Sequence, residues 1–356
     1  MKVVVLCRKI DGMPLNGFDR YSNDITKSLS EFKDLEIILP NQTGPFDIPP
    51  SGSVMSPPYY DVFMPVVNIL RGKMKGDVFH AVTDGQAVIF PWIKGKKVVT
   101  MHHVDKTPPI GIKEKIFRIF YSFGTKMSLK YADLIICVSE QTRREVKEAY
   151  DVEDSRLCVV NHAVSDRFTV MPEVQKRKVV GYLGALKNRK NLEFMIRAAA
   201  AYKKKYGEDG VVFSICGEGP ENERLRSLAS QLDVNDIVEF KGRVNDADLV
   251  STYNSFTLFC LPSLQEGFSL PVIEAERCGV PVLTLENAMM PEEVVSVSTK
   301  CRDEEDMASK IHFLFENKEA YDEAVKAGLE HSLQFSTENT AKMTAEAYKK
   351  ALGRAN

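Results

Sequence analysis

The stretch Pro262–Leu283, PSLQEGFSLPVIEAERCGVPVL, constrains the fold more than any other part of the chain. An apolar run ending at Leu261 predicts a strand. It is followed by a Pro-Ser turn, a glycine-containing loop and a short helix opening near Pro271. After Gly279, the apolar run Val280–Leu283 predicts a second strand. A strand, a loop, a helix and another strand form the βαβ unit of a doubly wound sheet, where ligands lie at the carboxyl ends of strands.

Two carboxylates in this stretch, Glu266 and Glu274, are eight residues apart, one in the loop and one in the helix. A helix start leaves its first N–H groups without intrahelical partners, so they can bind an anion. The amides concerned are those of Gly267, Phe268, Ser269 and Leu270. An anion site flanked by two acceptors suited to hydroxyls fits a sugar nucleotide, which carries a diphosphate between two polyols.

The composition is that of an ordinary globular protein of about two domains, with 356 residues and a net charge of −2. This charge does not indicate nucleic acid as a partner. The seven cysteines show no CxxC spacing, which favours a reducing compartment without a zinc site. No run approaches the roughly 18 apolar residues of a membrane-spanning helix. We therefore expect a cytoplasmic protein, either free or peripheral on a membrane.

Strand-like and helical segments alternate along both halves of the chain, which predicts an α/β fold with mainly parallel sheets. The segment Ser165–Lys178 is polar, contains Pro172 and lacks periodicity, so we place the domain boundary there. The prediction is two Rossmann-like, doubly wound domains, over residues 1–165 and 178–333.

A second chemical signal lies in the segment Gly181–Asn191, GYLGALKNRKN. Arg189 and Lys190 follow a predicted strand and precede a predicted helix. Cleavage of a glycosyl–phosphate bond places additional negative charge on the departing diphosphate, and fixed cations in a closed site stabilise that charge strongly. These two residues are therefore our candidates for stabilising the leaving group, with a solvated basic loop as the alternative interpretation.

Together these segments resemble the glycosyltransferase 4 family, whose members are retaining, depend on nucleotide sugars and have the GT-B fold. The stretch from Pro262 matches the pattern P-S-x-x-E-G-F-x-L-P-x-x-E-A-x-x-x-G-x-P-V. The segment from Gly181 is similar to Y-x-G-x-L-x-x-R-K-N. The resemblance implies an acceptor-side domain, residues 1–165, and a donor domain, residues 178–333, facing across a cleft. It also implies a C-terminal helix, residues 334–356, that crosses back to the N-terminal domain.

The resemblance also implies roles for single residues. Glu266 would bind hydroxyls of the donor sugar, and Glu274 would accept hydrogen bonds from the ribose. His102, in a segment similar to T-x-H-D, would contact the sugar from the first domain. Further donor-binding positions are Gly17, Gly184, Gly217 and Gly219. Gly17 would face the diphosphate, and the G-x-G-P turn that contains Gly217 and Gly219 would line the nucleoside part of the cleft.

Some positions depart from the family pattern. His103 stands where Asp is usual, His162 where Gly is usual, and Thr337 where Trp is usual. Ala185 occupies a position at which many relatives have Arg, and Arg189 or Lys187 would compensate for it. The departures at Ala185 and His103 motivate one alternative interpretation, a non-catalytic subunit that only binds a sugar nucleotide.

The leading hypothesis is a retaining glycosyltransferase that moves a hexosyl-type sugar from a UDP- or GDP-sugar to a hydroxyl of a glycan or lipid-linked saccharide. For a retaining transfer without an evident second carboxylate as nucleophile, the resemblance implies front-face attack. The alternatives are a GT-B phosphorylase or epimerase using the same cleft, or the non-catalytic subunit. No motif identifies the nucleobase, the sugar or the acceptor.

We expect no cofactor and no metal. The Cys216–Glu221 turn lacks the third glycine of a dinucleotide fingerprint, and its acidic residues would repel a pyrophosphate, so NAD is not indicated. Asp246 and Asp248 form a D-x-D, but an N-cap role for Asp246 is the simpler interpretation. His80, at a strand end, is a weaker candidate than His102 for contacting the donor.

The segment 112–130 has helical spacing of apolar residues with lysines and an arginine on the other faces. The first interpretation is an amphipathic helix packed on the sheet. The alternative is a basic, aromatic-bearing face that binds anionic lipid, which would make the protein peripheral on the cytoplasmic face of a membrane.

Overall fold

The computed structural model describes residues 1–7, 17–39, 66–68, 71–72, 75–104, 112–174, 177–207 and 209–353. The chain divides into two compact units. The first unit comprises Met1–Ala163 together with Thr337–Asn356, and the second comprises Val164–Ser336. Each unit is an α/β structure built on a parallel sheet.

In the described part of the first unit, six strands pair in the order β2-β1-β3-β4-β5-β6, all parallel. The strands are β1 (Lys2–Leu6), β2 (Glu36–Ile38), β3 (Val78–Ala81), β4 (Lys96–Met101), β5 (Leu134–Cys137) and β6 (Leu157–Val159). The α-helices are α1 (Gly17–Leu29), α2 (Ile112–Tyr131), α3 (Glu140–Tyr150) and, at the end of the chain, α11 (Thr337–Ala351). A 3₁₀ helix, Asp84–Trp92, lies between β3 and β4.

Alternate residues of β1 enter two different cores, as the two-residue period of a strand requires. Val3 and Val5 belong to the core that contains α1 and α11, whereas Val4 and Leu6 belong to the core on the other face of the sheet. The C-terminal helix therefore packs within the first unit, where Tyr348 is completely buried.

A chain of buried polar side chains lies between this sheet and α11. His80 Nδ1 is 2.7 Å from the Tyr348 hydroxyl, and His80 Nε2 is 2.8 Å from Thr100 Oγ1. Thr100 Oγ1 is also 3.2 Å from the Tyr21 hydroxyl. Burial, with a smaller contribution from His102, lowers the pKa of His80 to about 3, so the ring is neutral at pH 7.

In the second unit, six described strands pair in the order β12-β11-β10-β7-β8-β9, again all parallel. The strands are β7 (Val179–Leu183), β8 (Val212–Cys216), β9 (Val238–Gly242), β10 (Leu258–Leu261), β11 (Val282–Leu285) and β12 (Thr299–Cys301). The α-helices are α4 (Leu192–Tyr206), α5 (Asn222–Gln231), α6 (Leu249–Ser255), α7 (Leu270–Arg277), α8 (Glu292–Val295), α9 (Glu304–Glu316) and α10 (Lys318–Ser332).

The strand order reverses at β7, which lies between β8 on one side and β10 on the other. In doubly wound sheets the ligand crevice forms outside the carboxyl ends of the strands at such a switch point. The two loops concerned follow β7 and β10, and they carry the two segments that the sequence singled out.

One local prediction is wrong. Asp246 is not an N-cap, because the cap position of its 3₁₀ turn is Asn245. The Asp246 carboxylate instead accepts hydrogen bonds from both terminal nitrogens of Arg167, at 2.5 and 2.9 Å. The sequence showed that Asp246 stands just before a helix. It did not show that the fold places the guanidinium of Arg167 beside its carboxylate.

None of the helices in the described ranges is long and apolar enough to cross a bilayer. In α2, the described side chains include exposed Phe123, Lys126 and Lys130. The side chains of the first half of this helix lie outside the described residues, so the interpretations of segment 112–130 stay predictions.

Candidate active site

The loop between β10 and α7 is held in place by backbone pairing with the segment after β11. Glu266 N–H donates to Met289 O at 3.0 Å, and Met289 N–H donates to Leu264 O at 2.8 Å. Leu264 N–H in turn donates to Arg189 O at 3.1 Å, which joins this loop to the loop after β7. The backbone that carries Glu266 is therefore fixed on both sides.

Two cations contact the Glu266 carboxylate. Lys190 Nζ is 2.5 Å from Oε1, and Arg189 Nη1 is 3.0 Å from Oε2. The Lys190 and Glu266 side chains are only 11% and 7% exposed, whereas Arg189 is 49% exposed and keeps much of its guanidinium open to solvent. The structure thus brings together the three charged residues that the sequence placed 76 and 77 positions apart.

The charges of this cluster favour the ionised form of Glu266. Burial raises the pKa of Glu266, but the charges of Lys190 and Arg189 more than offset that effect and hold the pKa below its usual value. Burial lowers the pKa of Lys190, with Glu266 opposing the shift. Two cations and one carboxylate leave one net positive charge, which suits an anionic ligand.

Arg189 and Lys190 are positioned by a 3₁₀ turn, Asn188–Lys190, that follows β7. Asn191 ends the turn with a left-handed backbone, φ 52°, and α4 starts directly after it. Asn is one of the residues that adopts this conformation at low cost. The reversal turns the two cations toward the carboxyl ends of β7 and β10, where Glu266 lies.

The four predicted amides lie at the start of α7. Leu270 is its first residue, and Ser269 precedes it with φ 89° and ψ 69°. The Ser269 hydroxyl is buried and has no hydrogen-bond partner among the described residues. The ring of Phe268 is buried against Phe335, with centroids 5.6 Å apart. Phe268 is therefore a packing residue through its side chain, and Gly267 leads directly from Glu266 into this turn.

Glu274 lies inside α7 and is 4% exposed. The Tyr253 hydroxyl donates to its Oε2 at 2.6 Å. This hydrogen bond fixes the position of the carboxylate. The role of Glu274 in binding a ribose stays a prediction. Sequence reasoning did not identify Tyr253, because nothing in the apolar pattern of α6 distinguishes it from an ordinary core tyrosine.

Gly184, Gly217 and Gly219 come together where the loops after β7 and β8 cross. A Cβ at Gly217 would lie 1.8 Å from Gly184 O, and one at Gly219 would lie 2.2 Å from Leu186 O. Leu186 N–H donates to Glu218 O at 2.9 Å, and this hydrogen bond joins the two loops where they cross. These glycines permit close backbone approach. Their donor-binding role stays a prediction.

Gly217→Ala is expected to lower the free energy of unfolding by about 3 kcal/mol, because the new methyl group overlaps the Gly184 carbonyl. Gly242→Ala is the matched control. Its φ of +71° is also left-handed, but no described atom lies within 4 Å of the added Cβ, so a cost of about 1–2 kcal/mol is expected. Urea titration measures both, and equal losses would contradict the backbone crossing.

In the first unit, both ring nitrogens of His102 are engaged. Nε2 is 2.7 Å from Val82 O, so it must carry the proton and donate. Nδ1 is 3.1 Å from His162 Nε2. Burial, partly opposed by the Val82 contact and aided by His103, lowers the pKa of His102 to about 4. In the neutral ring Nδ1 can only accept, so His162 Nε2–H is the donor.

His162 is the residue that sequence reasoning recorded only as a departure. Its ring stacks on His102 with centroids 5.0 Å apart, and Tyr21 packs edge-on against both rings. Burial lowers the pKa of His162 well below its usual value. The contact of His102 with a donor sugar stays a prediction, since its nitrogens are directed at Val82 and His162.

The other first-unit candidates are less informative. Gly17 is the first residue of α1, and the loop that precedes it lies outside the described residues. His80 is completely buried within β3 and is bonded to Tyr348 and Thr100, so the structure places it in the core. Its position at a strand end did not reveal on which face of the sheet the ring lies.

One group of described side chains has the spacing of a metal site, namely Asp209, His312 and Glu316. Lys178 Nζ lies 2.8 Å from both carboxylates, and the Tyr202 hydroxyl donates to Asp209 as well. One ammonium therefore already contacts both carboxylates and offsets one of their two negative charges. Lys178 and Asp209 precede β7 and β8, so the group lies at the amino-end edge of the sheet, opposite the Glu266 cluster.

Comparison with protein families gives two adjoining matches. Residues 3–168 match the family described as Glycosyltransferase Family 4, and residues 166–331 match the family described as Glycosyl transferases group 1. The boundary between the matches lies close to the boundary between the two structural units, at Ala163 and Val164.

Several curated proteins are similar in sequence. The serotype-specific mannosyltransferase WbdA of Escherichia coli is 28% identical over 255 residues, which are 66% of this chain and 31% of that protein. The D-inositol 3-phosphate glycosyltransferase of Corynebacterium jeikeium is 30% identical over 45% of this chain and 42% of its own length. The chain thus spans about a third to two fifths of these relatives.

Solved structures show the same fold over nearly the whole chain. Sucrose-phosphate synthase from Thermosynechococcus elongatus has a TM-score of 0.75 at 16% identity, covering 99% of this chain and 100% of that one. Anabaena HepE, solved in complex with UDP, has a TM-score of 0.70 at 16% identity, covering 97% and 99%. At these identities the likeness shows the fold alone.

Proposed function

The chain belongs to the group 1 and family 4 glycosyltransferases and has their GT-B fold, and on that premise we propose that it transfers a hexosyl residue from a nucleotide diphosphate sugar to a hydroxyl acceptor. The donor is a UDP- or GDP-sugar, and the acceptor is a glycan or a lipid-linked saccharide. The anomeric configuration of the sugar is retained.

The observation that carries this proposal is the contact of one buried carboxylate, Glu266, with both Arg189 and Lys190 at the switch point of the second sheet. The cluster has a net positive charge beside the start of α7, and the dipole at a helix start favours a bound anion. A diphosphate satisfies both features, since it is anionic and accepts hydrogen bonds.

In the proposed reaction, the bond from the anomeric carbon to the diphosphate oxygen breaks, and its electron pair stays on the diphosphate. Arg189 and Lys190 stabilise the charge that develops there. The acceptor oxygen bonds to the anomeric carbon on the same face, and its proton passes to an oxygen of the leaving phosphate. Glu266 accepts hydrogen bonds from the sugar hydroxyls, and Glu274 accepts them from the ribose.

The relatives suggest which substrates to try first. WbdA is named a mannosyltransferase, another relative is the O-antigen chain mannosyltransferase B of Escherichia coli, and HepE was solved with UDP. A mannosyl donor and UDP-sugars, with saccharide acceptors, are therefore the first combinations. The exposed Phe123, Lys126 and Lys130 of α2 support a further part of the proposal, contact with anionic lipid at the cytoplasmic face.

Transfer by the purified chain tests this function, with ¹H NMR of the product showing the anomeric configuration. Glu266→Gln and Arg189→Gln are each expected to lower kcat by about 10²–10³-fold, the cost of removing one group that stabilises transition-state charge. Arg197→Gln is the matched control, because Arg197 forms an exposed ion pair with Glu193 at 2.6 Å. Full activity of Glu266→Gln would contradict the site, and an inverted product would contradict retention.

A further inference from the structure

The chain passes between the two units twice, after Ala163 and after Ser336. Within the second unit the ends of these two crossings are joined, because Val164 N–H donates to Phe335 O at 2.9 Å. The proposed donor loop and helix α7 lie in the same unit. Residues of both crossings contact this loop, this helix, or a side chain that is bonded to them.

The second crossing contacts the donor loop through aromatic packing. Phe335 is buried, and its ring meets Phe268 edge-on at 5.6 Å. The ring of His331, one turn earlier, also packs edge-on against Phe335, with centroids 5.2 Å apart. Its Nδ1 lies 2.8 Å from Glu276 Oε2, and both of those side chains are buried. The segment before Ser336 thus touches both the loop and α7.

The first crossing contacts α7 directly through Asp166 and indirectly through Tyr253 of α6. Phe168 is buried and packs edge-on against Tyr253 at 5.8 Å. The Tyr253 hydroxyl donates to Glu274, and Asp166 lies 3.3 Å from Arg277 at the end of α7. Only Tyr253 therefore lies between the first crossing and Glu274, the residue proposed to bind the ribose.

The backbone between Phe268 and α7 needs such support. Ser269 has φ 89°, a conformation that residues with a Cβ adopt only at a cost. Strained backbone of this kind persists where its surroundings over-determine it. Phe268 is the residue directly before the strained position, and the ring of Phe335 packs edge-on against its ring.

We propose that Phe335 is a positioning residue for donor binding, which acts through Phe268 to hold the Glu266–Leu270 loop in the conformation that receives the diphosphate. The proposal rests on the proposed function for the identity of the ligand. It extends that function to the segment where the chain leaves the second unit, so that this crossing and the donor loop form one cooperative element.

The first test is calorimetric binding of UDP and GDP to the full chain. Phe335→Leu leaves a gap beside Phe268 and is expected to raise Kd about tenfold, a cost of about 1.4 kcal/mol. Phe268→Leu should do the same, and the double variant should be no weaker than either single variant, because both remove one interaction. The control is Phe213→Leu, a completely buried ring on β8 packed against Tyr202.

The second test does not depend on a ligand. Hydrogen exchange of the free protein should show faster exchange of amides 266–270 in Phe335→Leu than in Phe213→Leu at matched global stability. An unchanged Kd, additive single effects or unaltered exchange of the loop would each overturn the proposal. If the wild type binds neither nucleotide, the proposed UDP- or GDP-sugar donor fails, and the exchange experiment still decides the positioning role.

Discussion

Lys190→Met is expected to lower the free energy of unfolding by about 3 kcal/mol and to reduce transfer by about 10²–10³-fold. Lys190 and Glu266 form a buried ion pair, and removal of one partner leaves the other charge buried. The loss should lie near the lower end of the range for such pairs, because Arg189 still contacts Glu266.

The double variant Lys190→Met with Glu266→Gln separates the two effects. When both members of a buried pair become neutral, most of the stability returns, because no uncompensated charge is left inside. Transfer should stay lost, since neither the cation at the diphosphate nor the carboxylate at the sugar is restored. Urea titration and a transfer assay on the same preparations give both quantities.

Lys203→Met is the control for this series. Lys203 forms an ion pair with Asp236 at 2.8 Å on the surface of the same unit, and such pairs contribute about 0–1 kcal/mol. If Lys190→Met were as stable as Lys203→Met and fully active, the Glu266 cluster would be neither a buried ion pair nor the catalytic centre.

Lowering the pH from 7 to 5 is expected to destabilise the first unit by about 4 kcal/mol. His80 and His102 have pKa values of about 3 and about 4 in the folded chain, against 6.5 for an exposed ring. Below pH 6.5, the two histidine rings therefore bind protons in the unfolded chain but stay neutral in the folded chain. Each ring contributes about 2 kcal/mol over this interval, and His162 acts in the same direction.

His80→Gln should reduce this pH effect by about 2 kcal/mol, because it removes one titrating ring and keeps polar atoms for its neighbours. Tyr348→Phe is the matched control. It removes the 2.7 Å hydrogen bond to His80, so it should lower stability by about 1 kcal/mol at both pH values while leaving the difference between them unchanged. A first unit equally stable at pH 5 and pH 7 would contradict the buried neutral histidines.

The sequence was sufficient for the fold because its signals are local and repeated. Apolar runs alternate with amphipathic segments, and parallel sheets of buried strands follow from that pattern. The GT-B prediction is confirmed by the family matches and by the shared fold. The glycines at 184, 217 and 219 were assigned to the donor, whereas the structure adds a packing reason for them that only the crossing of two loops reveals.

The site could be predicted as a set of residues but not as an arrangement. Glu266, Arg189 and Lys190 stood out by motif, yet their mutual contacts depend on β10 pairing beside β7. The contacts of Tyr253, His162 and Phe335 were not predicted, because a buried aromatic ring beside a candidate site residue and one that only fills a core have the same sequence pattern. Asp246 shows the converse. Its sequence context predicts an N-cap, but its carboxylate pairs with Arg167, which is distant in sequence.

The most direct test of the central claim is calorimetric titration of the full chain with UDP, GDP, TDP and ADP, followed by the matching sugar nucleotides. We expect one nucleotide to bind at a single site, to stabilise the protein by about 2.7 kcal/mol at a hundredfold excess over Kd, and to bind more weakly to the double variant of Lys190 and Glu266. No binding by any of the four nucleotides, or equal binding to wild type and double variant, would contradict a nucleotide-sugar site at the Glu266 cluster.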